Sequence, residues 1–169
     1  MIEIQEGALT FRFSEQVTAK KYDDWAFYRN QFQNGCACDN KAIDMACYAV
    51  HDAWLIEVKD YRHYARTKLI DLADEMAIKV RDTLAGLVAA QFQANDDDEK
   101  QFARRLLRMR TLRVVCHVEQ PTKISRLRPR AVEPDKLQDK LRRVLKAIDP
   151  HPRVMDAATV PTALPWTVN

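Results

Sequence analysis

Asp44, Glu57 and Lys59 are of the types, and at the spacing, that can gather on one face of a strand pair. Two carboxylates are hard oxygen donors and suit Mg²⁺ or Mn²⁺. A metal held between them would polarise a phosphoryl oxygen and lower the pKa of a bound water. A lysine beside them would orient that water or offset charge on a pentavalent transition state. Without a metal, adjacent carboxylates repel. The pattern acid-x-Lys occurs at Asp39/Lys41, Glu57/Lys59 and Asp98/Lys100. Only Glu57/Lys59 lies in an apolar, strand-like run with an acid on the neighbouring run.

The elements that must position these residues are two strand candidates, residues 42–50 (AIDMACYAV) and 53–61 (AWLIEVKDY). His51-Asp52 separates them at the length of a tight hairpin. A turn there sets Asp44 opposite Lys59 and Ala46 opposite Glu57. Side chains alternate along a strand, so Asp44, Glu57 and Lys59 emerge together. Opposed Cβ atoms lie roughly 5 Å apart and diagonal ones roughly 7–8 Å, so one small ion could bridge Asp44 and Glu57. The other face carries Ile43, Met45, Cys47, Ala49, Trp54, Ile56 and Val58, an apolar surface for helices to cover. A one-residue slip would bury all three charged groups.

Asp44, twelve intervening residues, then Glu57-Val58-Lys59 on consecutive strands resembles the active site of the PD-(D/E)XK nuclease superfamily. That group includes many restriction endonucleases and Holliday-junction resolvases. The run WLIEVKDYR is similar to the corresponding strand in many members. The resemblance covers residues 22 to 119. It implies an α/β fold with a restriction-endonuclease-like mixed β-sheet flanked by helices. It also implies Asp44 and Glu57 as ligands of Mg²⁺ or Mn²⁺, with Lys59 as the catalytic lysine. The function to expect is metal-dependent hydrolysis of DNA phosphodiesters. The alternative is a catalytically inactive subunit of the same fold that binds DNA or a partner protein in a bacterial complex. Ile43 stands where the superfamily commonly has proline, and a strand candidate precedes the first helix. Some members use an acid on that helix; Asp24 or Glu15 could serve. The runs KYDDWAFYRNQF and IEVKDYR are also similar to a group of bacterial proteins, which adds no function.

Around the hairpin, residues 8–13 alternate as a strand does, and Trp25, Tyr28 and Phe32 recur at helical spacing between Asp23 and Gln33. Lys68 to Phe92 carries a helical apolar stripe, and Glu99 to Arg110 makes a second helix. Residues 111–119 read as a strand. Pro134 suits the first turn of a helix running to Ile148, and an edge strand falls near Val154. Helices interleaved with few strands imply a mixed sheet.

Arg62, His63 and Arg66 follow the key strand and could contact DNA phosphates. Arg104, Arg105, Arg108 and Arg110 form one basic cluster; Arg126, Arg128 and Arg130 form another, RLRPR. Either could bind a nucleic-acid backbone, and solvated arginine is the plain reading beside that. Net charge is only +3.

The 169 residues fit one domain, with a C-terminal helix and tail over 120–169. Hydrophobic residues make up 47% and charged residues 30%, enough for a core in a soluble protein. No apolar run is long enough to span a membrane, and the N-terminus lacks a signal-peptide pattern, so a cytoplasmic location is expected. Cys47 and Cys116 read as buried hydrophobes; Cys36 and Cys38 lack the second pair a zinc site wants. His51, His63, His117 and His151 show no ligand spacing. No glycine-rich phosphate loop points to NTP hydrolysis. The chain is short for a sequence-specific restriction enzyme, which leaves specificity to a homodimer or a partner subunit.

Overall fold

The computed structural model of the chain describes residues 1–37, 39–123, 125 and 130–169. At its centre, β4 (Met45–Ala49) and β5 (Asp52–Asp60) form an antiparallel hairpin. β3 (Thr18–Lys21) flanks β4 antiparallel, while β6 (Thr111–Glu119) and β7 (Arg153–Met155) continue beyond β5 in parallel. The sheet is therefore mixed, in the order β3-β4-β5-β6-β7. Every residue of β4 is buried, as is β5 from Ala53 to Val58. Strands this apolar are covered on both faces.

Helices cover one face: α1 (Leu72–Gln93), α2 (Asp97–Leu106) and α3 (Pro134–Val144). Leu72, Met76, Val80 and Leu87 of α1 pack with Leu55, Cys116 and Leu141. The other face is covered by a three-stranded antiparallel sheet of β1 (Ile2–Glu6), β2 (Leu9–Phe13) and β8 (Trp166–Val168), in the order β1-β2-β8. There Phe11, Phe13 and Trp166 meet Met45, Cys47, Trp54 and Ile56. Residues before 22 and after 119 thus complete both layers. No described helix is long and apolar enough to cross a membrane.

Capping explains where the helices start. The Asp71 carboxylate accepts from the Ala73 amide at 2.8 Å, and Asp96 accepts from Asp98 and Glu99 at 2.8 and 3.1 Å. The first helix thus begins later than the start expected at Lys68, and the second begins earlier than the one expected at Glu99. The span Asp23–Gln33 is not one helix. A 3₁₀ turn, Tyr22–Asp24, precedes a single π-type turn, Tyr28–Phe32. The Gln33 amide donates five residues back to the Tyr28 carbonyl at 2.8 Å. This wider turn presses Tyr22 and Phe32 against α1 at Gly86, where a Cβ would collide with the Tyr22 hydroxyl.

Two features of the hairpin differ from expectation. Ala49 pairs with Asp52, so the turn is Val50-His51 rather than His51-Asp52. Val50 takes φ +53°, which a β-branched residue rarely adopts, so nothing in the residue types marks the turn. Moving the turn by one residue moves the pairing by two, and each side chain keeps its face. Continuing the ladder past Met45–Ile56 sets Asp44 opposite Glu57, not Lys59. The face carrying the charged groups, not the apolar one, is the face the helices cover. Ile43 lies outside the strand and joins the helix-side core through its amide, which donates to the Thr83 hydroxyl at 3.0 Å.

Candidate functional site, a buried carboxylate–lysine cluster

The cluster forms where β5 has an antiparallel neighbour on one side and a parallel one on the other, towards the carboxyl end of the parallel pair. Open α/β sheets usually bind ligands at such a place. Glu57 is fully buried. Its Oε1 accepts from Lys59 Nζ at 2.5 Å and from Lys79 Nζ, on α1, at 2.5 Å. Its Oε2 is buried with no hydrogen-bond partner among the described residues. Asp44 is also buried. Its Oδ2 accepts from the Val58 amide at 2.6 Å, supplying the acceptor that β4 no longer provides beyond Met45. Its Oδ1 lies 3.7 Å from Lys79 Nζ.

A second carboxylate layer follows on α1. Glu75 Oε1 lies 3.9 Å from Lys59 Nζ and 2.5 Å from Lys68 Nζ, while Oε2 accepts from Arg66 at 2.9 Å. Glu75 and Lys79 are four residues apart and so share one face of the helix. The cluster then comprises three carboxylates and four cations, drawn from the residue before β4, from β5, from α1 and from the loop 61–71.

The electrostatics are uneven. Burial, and then Glu57 beside it, push the Asp44 carboxyl up to about 7. Burial pulls Lys59 down, but Glu57, Asp44 and Glu75 outweigh it and hold Lys59 above the usual lysine value. Burial raises Glu75, while its bonds from Lys68 and Arg66 more than reverse this. A carboxyl poised near neutrality inside such a cluster is the perturbed group that functional sites favour.

Asp44 and Glu57 are the residues that could offer oxygens to a hard divalent cation. Asp44 and Glu57 converge, and the orphaned Glu57 Oε2 is an oxygen such an ion would take. Two carboxylates with water completing the shell suit Mg²⁺ or Mn²⁺. Among the described residues no group of three or more His, Cys, Asp or Glu side chains could hold a metal by itself.

The expected nucleic-acid contacts fall in different places. Arg62 is bound by the Asp60 carboxylate at 2.6 Å, and Arg66 by Glu75 and the Tyr61 hydroxyl, so both are spent within the fold. Arg104 donates to the Gln91 carbonyl at 3.2 Å. Arg105, Arg108 and Arg110 are exposed and have no ion-pair partner among the described residues. This basic cluster abuts the β4–β5 turn, where the Arg110 amide donates to the His51 carbonyl at 2.8 Å. It therefore sits at the opposite end of β5 from Glu57. Arg126, Arg128 and Cys38 lie outside the described residues. Cys47 and Cys116 are buried free thiols whose pKa burial raises. His117 is buried, with Nε2 2.8 Å from Glu119 and its ring against Phe11.

Sequence reasoning missed Glu75 and Lys79. The available signal was their position beside the Leu72–Met76–Val80 stripe, which sets them at the margin of a packed face.

No protein-family model and no solved structure matches the chain. It is 36% identical over 159 residues to the cysteine--tRNA ligase of Neisseria meningitidis serogroup A, a match covering 76% of this chain and 23% of the ligase. The chain thus spans under a quarter of that relative's length. This likeness corrects the expectation of a nuclease acting on DNA, along with the DNA-binding role and the alternative of an inactive nuclease-fold subunit. The similar protein is a ligase named for cysteine and tRNA. The physical reason is that acid-x-Lys spacing determines which side chains share a strand face, not which reaction they serve.

Proposed function

We propose that this chain has a tRNA ligase-related function as an RNA-binding module, holding tRNA for a cysteine–tRNA ligase. The observation that carries this reading is the 36% identity over 159 residues with part of such a ligase. A unit matching 23% of the ligase fits a module that works beside a catalytic body. The hairpin, crossover helices and parallel strand support a restriction-endonuclease-like reading of the fold, here serving RNA.

Exposed Arg105, Arg108 and Arg110 suit an RNA backbone, because phosphate contacts supply most sequence-independent affinity. Asp44 and Glu57 would hold Mg²⁺ or Mn²⁺, whose positive charge would draw an RNA phosphate to the cluster. Lys59 and Lys79 fix the two carboxylates in position.

The test is a fluorescence-anisotropy titration of cysteine tRNA against wild type and an Arg105→Glu/Arg108→Glu variant. Each lost contact lowers the salt dependence by roughly 0.7–0.9. The variant should bind at least about tenfold more weakly, with a slope smaller by about 1.5. Equal affinities and slopes would count against this reading.

A further inference from the structure

We infer that the groove between residues 66–72 and α3 holds a single-stranded segment of RNA. The inference deepens the tRNA reading and rests on it. The groove has a volume of 660 Å³ and runs from Arg66 and Lys68 to Lys136 and Arg143. Both Arg66 and Lys68 bind Glu75, so the groove opens directly beside the carboxylate–lysine cluster.

Its two walls differ in character. On α3, Lys136, Lys140 and Arg143 stand at i, i+4 and i+7 and share one face. Leu137 and Leu141 of the same helix are buried and turn to the core. Lys140 is held by Asp71 and Asp74 at 3.0 and 2.6 Å, which ties α3 to the start of α1. Lys136 and Arg143 are exposed and have no ion-pair partner among the described residues. Glu133 pairs with Arg130 and Asp139 with Arg142, Lys140 is shared by Asp71 and Asp74, and the lining side chains count five bases against three acids. The charge left over is positive.

The facing wall sets two exposed aliphatics among charged side chains. Leu69 is fully exposed at 105% and Ile70 at 41%, side by side in a loop otherwise rich in cations. Adjacent exposed aliphatics beside free cations form an amphipathic channel. A polyanion with flat apolar groups complements it: phosphates against Lys136 and Arg143, unpaired bases against Leu69 and Ile70. A duplex keeps its bases stacked inside, so the two aliphatics would meet only backbone. An unpaired strand engages both walls, its phosphates meeting the cations and its exposed bases the aliphatics.

The experiment uses the full chain and three labelled probes: cysteine tRNA, a short unpaired oligoribonucleotide and a blunt RNA duplex. The variants are Lys136→Glu/Arg143→Glu and, separately, Leu69→Ser. All three positions are exposed, so melting temperatures should match wild type. Wild type should bind the unpaired probe, and each groove variant should weaken that binding at least about fivefold, while duplex binding changes little. Three results would overturn the inference: tRNA bound but the unpaired probe ignored; the unpaired probe bound equally by all variants; or a dimer in sedimentation that Leu69→Ser dissolves, which would assign the groove to a second copy. The first two leave the tRNA reading standing. If no RNA binds at all, that reading fails as well.

Discussion

Replacing Lys79 by Met should destabilise the protein by about 3 kcal/mol at pH 8, the cost of removing one partner from a buried ion pair. Lys79 sends its ammonium to the fully buried Glu57 and stands 3.7 Å from Asp44. Methionine keeps most of the buried stem, so the loss reports charge rather than packing. Without Lys79, Glu57 keeps, among the described residues, only Lys59 on Oε1 and no partner on Oε2, and Asp44 lies alongside. The second substitution Glu57→Gln, made in the Lys79→Met background, removes the uncompensated charge and should recover most of the loss. Urea unfolding of the two single variants, the double variant and wild type measures this coupling. A Lys79→Met loss below about 1 kcal/mol would show that the cluster is not energetically connected.

Asp44 should make stability fall as the pH rises from about 4 to about 7. Its folded-state pKa, pushed up by burial and by Glu57, exceeds that of the unfolded chain. Between the two values the folded protein retains a proton that the unfolded chain has released. The stability contributed by neutral Asp44 is therefore fully present below the unfolded pKa and lost through the folded one. The slope is up to about 1.4 kcal/mol per pH unit. Asp44→Asn removes it while preserving an oxygen to accept from the Val58 amide. This substitution should therefore stabilise the fold at pH 8 by at least about 2 kcal/mol and make no difference at pH 3. Other groups titrate over this range, and subtracting the variant's profile from that of wild type cancels them. Parallel profiles would contradict the assignment.

The gathering of Asp44, Glu57 and Lys59 was legible because strand alternation has a period of two. That period survived an error in the turn: the pairing moved two residues and no side chain changed face. β6 was legible over its whole length, since TLRVVCHVE combines β-branched residues with polar ends. The turn was not, because Val50 holds a positive φ that tertiary pairing imposes. β3 and β8 are only four and three residues long and owe their state to β4 and β2 rather than to composition. The sequence also could not say which hairpin face the helices would take. Glu75 and Lys79 meet the hairpin only because α1 packs on its charged face, which the apolar stripe of α1 alone does not reveal. Arg62 and Arg66 looked free for the same reason: the carboxylates of Asp60 and Glu75 that neutralise them meet them only in the folded chain.

RNA recognition by this chain is tested most directly by competing labelled cysteine tRNA against unlabelled tRNA and against a DNA duplex of equal charge, at moderate salt. The expected result is displacement by tRNA at concentrations at least about tenfold below those of DNA, a preference that phosphate contacts alone do not give. Equal competition by DNA, or no tRNA binding to displace, would contradict it.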